Sequence, residues 1–406
     1  MSPLNVLVVA TKSPWPPVDG GRLLLLNTLQ GLAAVGCRPT LVAPVDPAAF
    51  DLAEVARQLS PWCEPALVPA APLPAAAALL RAAWRPLSIA RHSLPAVREE
   101  VDRRLAAGRF DLVHAEQLQA LPQAEPAFAR GLPVVLRAQN VESDLWAATA
   151  RRGRGLRGYF LRSEARKLAI WEGGAVRRVA RTLALTREDG ERLCELAGEA
   201  EKVGVVRAPF PDLLPGTGRL AGEPAVVLFG SRGWLPNEEG AAWFLAEIWP
   251  LVRQALSGAV LHLFGAPPAR EAQGVVAHPS PRESAEVYAP GSILAVPLRI
   301  ASGVRIKILE AWARGVAVVA TPAALAGLEA ADGVEALVAG DARAFAAALA
   351  RIHREPKLAA TLVAGGGRAR RERHDSAEVA KRLLAEYERV IQAPMDSYGE
   401  ENPQEM

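Results

Sequence analysis

The sequence predicts an α/β protein made of two doubly wound parallel sheets. Three observations carry that expectation: short apolar runs rich in Val and Leu alternate with helical stretches from residue 5 onward, the alternation breaks once at a Pro/Gly cluster, and it then restarts. At 406 residues, half of them hydrophobic, the chain can fill two cores of this kind. A formal net charge of +3, from 47 Lys and Arg against 44 Asp and Glu, gives no global reason to expect nucleic-acid binding. Cys37, Cys63 and Cys194 are far apart and form no CxxC, so neither a disulfide framework nor a zinc site is expected. The amino-terminal stretch "MSPLNVLVVATKSPWPP" has an apolar run too short to span a bilayer and no basic segment before it. A cytoplasmic protein is expected, with peripheral attachment to the inner face of the plasma membrane left open.

The elements follow in order. "NVLVVAT" reads as a buried strand, "KSPWPPVDGGR" as a loop, "LLLLNTLQGLAAVG" as a helix and "RPTLVAP" as the next strand, which together make a βαβ unit. "FDLVHAE", "PVVLRAQN" and "TLALT" continue the strands, the last leading into the helix "REDGERLCELA". "RAPFPDLLPGTGRLAGEPA" is the interdomain linker, because clustered Pro and Gly suit neither element. Beyond it come "AVVLFGS", the loop "RGWLPNEEG", the helix "AAWFLAEIWPLVRQAL" and the strands "AVLHLFG", "GVVAHPS", "SILAVPL", "VAVVAT" and "EALVA". The expected division is a first domain over 1–212, a second over 213–375, an amphipathic helix over 376–393 that crosses back to the first domain, and a disordered tail over 394–406. Ligand belongs where the carboxyl ends of the strands face the cleft between the sheets.

The stretch "PLRIASGVRIKILEAWARGVAVVAT" places Arg305 and Lys307 at the start of a helix, the end where the backbone dipole is already positive. Two cations there are unfavourable unless an anion sits between them.

Five stretches in order, "SPWPPVDGGRLLLLNTLQGLAAVG", "FDLVHAE", "AQNVES", "FGSRGWLPNEEGAAWFLAEIWPLV" and "VPLRIASGVRIKILEAWARGVAVVAT", resemble the GT-B glycosyltransferases of family GT4. The branch resembled carries a "PN" loop and a pattern close to "PLRxGGGTRIKILEAMAxGxPVVST". The resemblance spans nearly the whole chain and implies two Rossmann-like domains facing a central cleft. It also implies a retaining transferase, metal-independent and without a cofactor, that moves a sugar from a UDP- or GDP-sugar to a glycan, lipid-linked or small-molecule acceptor, as in polysaccharide biosynthesis. Two other readings stay open on the same scaffold: an isomerase like the nucleotide-sugar 2-epimerases, and a non-catalytic nucleotide-sugar-binding protein.

The resemblance also assigns residues. The anion is a diphosphate, held by Gly303, Val304, Arg305 and Lys307, with the two cations stabilising it as it leaves. Glu310 matches the second carboxylate of the family's E-x7-E element and implies a contact with the nucleotide ribose; pairing with Arg314 at i+4 on a solvated helix face is the alternative. Ser302 stands where the first glutamate would be. Gly230, Ser231, Arg232 and Asn237 form one loop toward the donor. Gly20 and Gly21 form the other, where two glycines let the backbone approach a phosphate or acceptor, and Asp19 is assigned to the acceptor. Glu116 stands near the position of a histidine that touches the donor sugar in the family, with His114 two residues earlier on the same side of its strand; both are catalytic candidates, a core histidine being the alternative for His114. Asn140 and Glu142 are acceptor candidates, or a helix cap. Finally, "RRGRGLRGYFLRSEARK", Arg151 to Lys167, interleaves cations with Leu and aromatic residues. It suits either an anionic membrane surface or a solvated helix face. No nucleic-acid partner is expected.

Overall fold

The computed structural model describes residues 3–393 other than 83, 152, 213, 215, 217, 231–234, 266–272, 282 and 301. The expectations for Ser231, Arg232 and the tail over 394–406 therefore lie outside the described residues. The first sheet contains β1 (Asn5–Ala10), β2 (Arg38–Val45), β3 (Glu64–Pro69), β4 (Leu112–Glu116), β5 (Val134–Ala138), β6 (Arg181–Ala184) and β7 (Val203–Val205), in the order β3-β2-β1-β4-β5-β6-β7. The second contains β8 (Ala225–Phe229), β9 (Val260–Phe264), β10 (Val275–His278), β11 (Ile293–Val296), β12 (Ala317–Ala320) and β13 (Leu337–Val338), in the order β10-β9-β8-β11-β12-β13. Neighbouring strands are parallel throughout both sheets. Strand order reverses between β1 and β4 and again between β8 and β11, which puts a crevice at the carboxyl end of each sheet.

The strands are continuous apolar runs because helices cover both faces. Val6 to Ala10 of β1 and Ile293 to Val296 of β11 are buried, whichever way their side chains point. The helix Gly20–Ala34 follows β1, its first turn held by the Asp19 side chain, which accepts from the Arg22 amide.

The chain passes between the domains twice, and the two passages lie side by side. The Phe210 amide donates to His374 O at 2.8 Å, and Phe210 bridges to Asp375 in parallel. Arg370 donates to Phe210 O at 3.2 Å and forms an ion pair with Asp212. Beyond this junction, the helix Ser376–Gln392 turns its stripe of Val379, Leu383, Tyr387 and Val390 into the core under β1 and β2. A Cβ on Gly31 would stand 3.0 Å from Ala380 Cβ, so a glycine there lets this helix lie close against Gly20–Ala34. The helix thus completes the first domain.

His374 is fully buried at the junction. Its Nδ1–H donates to Ala208 O at 2.9 Å, while Nε2 meets no partner among the described residues. Burial pulls the ring down to about 4, helped by Arg207, Arg373 and Arg370. The unfolded chain, with an ordinary histidine, therefore binds the extra proton between about pH 6.5 and 4, and stability falls as pH drops through that window. Urea unfolding should show a loss of about 2 kcal/mol from this group between neutral pH and about pH 5. His374→Asn should remove that part of the pH dependence; an unchanged profile would contradict the assignment.

Candidate active site

On the amino-terminal side, a chain of hydrogen bonds runs along the carboxyl ends of the strands. Thr11 Oγ1 donates to Gln117 Oε1 at 2.8 Å, Gln117 Nε2 to Gln139 Oε1 at 2.7 Å, and Gln139 Nε2 to Glu116 Oε1 at 2.8 Å. From the other direction, Tyr387 OH donates to His114 Nδ1 at 2.5 Å and His114 Nε2 to Glu116 Oε2 at 2.9 Å. Glu116 is the acceptor on which both branches converge. Burial raises its carboxyl, but His114, Arg137 and Gln139 bring it below the ordinary value, so it is held as an anion. Gln117 turns the chain at the end of β4 with φ +76, a backbone conformation non-glycine residues rarely adopt.

This geometry corrects the expected roles of His114 and Glu116. Both do point to the same side of β4, but His114 is fully buried with both ring nitrogens engaged, and Glu116 has both oxygens engaged. Neither presents a free atom to the cleft. The core-histidine alternative describes His114, and the side chains nearer the cleft are Gln139, Gln117 and Thr11.

In the loop after β1, Lys12 Nζ donates to Asp19 Oδ1 at 2.7 Å, and Arg22 Nε lies 3.2 Å from Asp19 Oδ2. Burial raises Asp19, yet Lys12 and Arg22 hold it below the ordinary carboxylate range. A Cβ on Gly21 would stand 3.2 Å from Gln139 Oε1, and one on Gly20 would stand 3.1 Å from Ile306 Cβ. Gly20 therefore serves the approach of the helix Gly20–Ala34 to the second domain. Beside the loop opens a cavity of about 240 Å³, lined among others by Lys12, Arg22, Asp46, Phe50, His92 and Gln117. His92 donates Nδ1–H to Ser88 O at 2.8 Å, and burial lowers its pKa, which leaves the neutral ring with Nε2 as an acceptor.

On the carboxy-terminal side, the loop before the helix Ile306–Ala313 is docked on the first domain. Ser302 Oγ donates to Asp189 Oδ1 at 2.9 Å, the Gly303 amide to Asp189 Oδ2 at 3.0 Å, and the Val141 amide to Ser302 Oγ at 3.0 Å. Gly303 has φ +71, and a Cβ there would collide with Gln139 O and Asn140. Only glycine meets both demands. Burial raises the Asp189 carboxyl against the bonds from Thr186, Ser302 and Gly303 and the charge of Arg305. Part of the anion expected at this loop is thus supplied by the chain itself. Ser302 and Gly303 are interdomain residues here, and Val304 packs into the core.

Arg305 is buried, which lowers it to about 10 against the pull of Asp189. Lys307 Nζ donates to Phe229 O at 2.7 Å and to Asn237 Oδ1 at 3.1 Å, at the end of β8. Burial next to Arg305 brings Lys307 down to about 7. Gly230 has no room for a Cβ, which would collide with the Asn237 side chain. Lys307, Asn237 and Gly230 are therefore brought together at the end of β8. Glu310 accepts from Ser284 Oγ at 2.6 Å and Arg314 Nε at 3.0 Å. The i+4 pair with Arg314 exists, but it is buried, and burial raises the Glu310 carboxyl.

Asn140 sits at the domain contact, its amide donating to Ser302 O at 2.9 Å. Glu142 is bonded by Gln119, with burial raising its carboxyl. Neither residue lines the cavity beside Lys12. The cap of the helix Glu142–Ala150 comes from neither: Glu172 accepts from the Glu142 amide at 2.6 Å and the Ser143 amide at 2.9 Å. Asp189, Gln117, Gln139, Lys12 and His92 were not singled out in the sequence. For Lys12 the proximity to "DGG" is a usable signal, whereas the others depend on contacts distant in sequence.

Residues 18–209 match the family described as glycosyltransferase family 4, and residues 223–355 match glycosyl transferases group 1. No curated protein matches the chain. Among solved structures, sucrose-phosphate synthase from Thermosynechococcus elongatus superposes with a TM-score of 0.71 at 15% identity, covering 97% of this chain and 100% of that one. Anabaena HepE, crystallised with UDP-glucose, gives 0.66 at 16% identity over 95% and 100%. A glycosyltransferase from Rickettsia africae gives 0.62 at 10% identity over 97% and 100%. With one family covering most of the first domain, its companion covering most of the second, and both sheets arranged as in these structures, the chain belongs to the GT-B glycosyltransferases of the family 4 type.

Proposed function

We propose that this glycosyltransferase takes its sugar from a nucleoside diphosphate sugar and transfers it with retention of configuration, without a metal ion or cofactor. The observation that carries the donor assignment is Lys307, at the end of β8 and beside Arg305 at a helix start, depressed by burial to about 7. A site that costs a lysine its proton is compensated by an anion, and the diphosphate of the donor supplies one. HepE's complex with UDP-glucose favours a uridine nucleotide. Glu310 receives the ribose hydroxyls. The cavity beside Lys12 seats the acceptor, a glycan, lipid-linked or small molecule, with an apolar wall at Phe50 and hydrogen-bonding groups at Lys12, Asp46, His92 and Gln117.

In the reaction the bond from the anomeric carbon to the diphosphate oxygen breaks while the acceptor oxygen bonds the same face of that carbon. The acceptor's proton passes to the departing diphosphate. Lys307 and Arg305 act where charge develops, which is worth more to the transition state than to the bound donor.

Incubation with a panel of nucleotide sugars tests this reading. Free nucleoside diphosphate should appear slowly and faster with acceptor, and NMR of the product should show the donor's anomeric configuration. An epimerase would leave the diphosphate attached, and a sensor would bind without turnover. EDTA should not change the rate; loss restored by Mg²⁺ or Mn²⁺ would contradict the metal-free reading.

Lys307→Ala should lower kcat about tenfold to a hundredfold, more than it raises KM, since a hydrogen bond to a charged group contributes about 1.5–3 kcal/mol. UDP-glucose is a suitable probe of the protonation step because its diphosphate has no group titrating near neutrality. Binding should restore the Lys307 proton, so about one proton should be taken up at about pH 8 and almost none at about pH 6. Calorimetry in buffers of different ionisation enthalpy measures it, and zero uptake at the higher pH would remove Lys307 from the diphosphate site.

Glu310→Gln should raise donor KM about tenfold while the chain stays folded, since glutamine can still accept from Ser284, and should lower the melting temperature because the buried Arg314 loses its counter-charge. Unchanged donor affinity would separate Glu310 from the ribose.

A further inference from the structure

We propose that one side of the amino-terminal domain docks on an anionic lipid bilayer, through a surface assembled from two segments distant in sequence. The first is the helix Gly155–Arg178, where Leu156, Tyr159, Phe160, Arg166 and Ile170 recur at helical spacing on one face. The opposite face, with Glu164, Leu168, Glu172 and Ala175, is buried in the domain. The open face keeps its apolar side chains in solvent: Leu156 is 90% exposed, Ile170 76% and Tyr159 70%. The second segment contributes Leu80, 89% exposed, and Trp84, 60% exposed.

The two segments are tied together. The Leu87 amide donates to Glu164 Oε2 at 2.6 Å, and the Arg85 guanidinium lies over the rings of both Trp84 and Trp171, at 4.4 and 5.8 Å. Trp84 therefore lies close to Trp171, the residue that follows Ile170 on the long helix. Isolated exposed apolar residues are ordinary, but several large ones gathered on a single surface mark a contact site.

Charge identifies the occupant. Arg81, Arg151, Arg154, Arg157, Arg162 and Arg166 are exposed around the apolar tips. The single acid between Arg151 and Trp171 is Glu164, which is buried and paired with Lys167. Apolar tips that enter the headgroup boundary, ringed by guanidinium groups at phosphate level, match an anionic bilayer. A second copy is a poorer match, since a twofold contact between these faces would set arginines against arginines. The surface also borders the catalytic cleft: the helix Glu142–Ala150, which leads to it, starts next to Val141, and the segment Leu87–His92 ends at a residue lining the cavity beside Lys12. No helix among the described residues is long and apolar enough to cross a membrane, so the attachment is interfacial.

Co-sedimentation with vesicles tests the proposal independently of any catalytic activity. The whole chain should bind vesicles of about three parts phosphatidylcholine to one of phosphatidylglycerol at least tenfold better than pure phosphatidylcholine, and less well in high salt. The combined variant Trp84→Ser, Leu156→Ser, Tyr159→Ser should bind about tenfold less or weaker, with an unchanged circular dichroism spectrum, because all three side chains are exposed. A charge-reversed chain with Arg154→Glu and Arg157→Glu should lose binding as well and serves as the second test should the triple variant misfold. Absence of binding to anionic vesicles, or wild-type binding by a folded variant, overturns the proposal. A dimer in sedimentation velocity that the triple variant dissolves, with vesicles unbound, would instead identify a second copy as the occupant.

Discussion

The arrangement of the cleft depends on one carboxylate. Asp189 begins in the first domain, at the front of the helix Arg187–Ala197, and ends in the second, where its two oxygens take the Ser302 hydroxyl and the Gly303 amide. A carboxylate buried at an interface is costly unless its lone pairs are met. Thr186 adds a further donor at 2.8 Å, so the demand is satisfied only when both domains are in place. The loop thus fixed leads directly to Arg305 and to the helix start, and Lys307 is the second residue of that helix. The Arg207–Glu329 ion pair at 2.5 Å reinforces the same contact from farther out.

The first domain solves a related problem with a network. Glu116, His114 and Arg137 are all buried in one neighbourhood, and isolated charges there would be expensive. Arg137 is met by Thr28 Oγ1 at 3.0 Å and Arg207 O at 3.1 Å, and Glu116 by His114 and Gln139. Such a network leaves each member little freedom, because turning one amide strands its neighbour. The amides of Gln117 and Gln139 reach the cleft side with fixed polarity as a result. The carboxylate that looked available in the sequence is the one that holds them.

Much of the fold was legible in the sequence because parallel strands covered on both faces must be short, apolar and rich in Val and Leu, and "NVLVVAT", "AVVLFGS" and "VAVVAT" have no other easy use. The doubly wound class followed from the repeated βαβ grammar, whereas the strand order did not. The carboxy-terminal cations were also legible, since positive charge at a helix start is anomalous on its own. Asp189 was not: in "TREDGERL" it resembles any acid in a first helical turn, and its partners in the second domain lie more than a hundred residues away. Ser302 likewise looked like a mere substitution for a glutamate, although its hydroxyl is used across the interface. Periodicity reports which face of an element is buried, but it cannot report which distant donor meets a polar atom on that face.

The helix Ser376–Gln392 has a consequence for the order of folding. Val379, Leu383 and Tyr387 belong to the core under β1 and β2, and Tyr387 also starts the hydrogen-bond chain through His114. During synthesis these residues emerge only after the whole second sheet. The first sheet must then wait with an open groove along Gly20–Ala34 and an unanswered His114, while the domain made later can finish earlier. Contacts of such long sequence separation slow assembly and prolong the exposure of apolar surface. The domain synthesised first is therefore the one completed last.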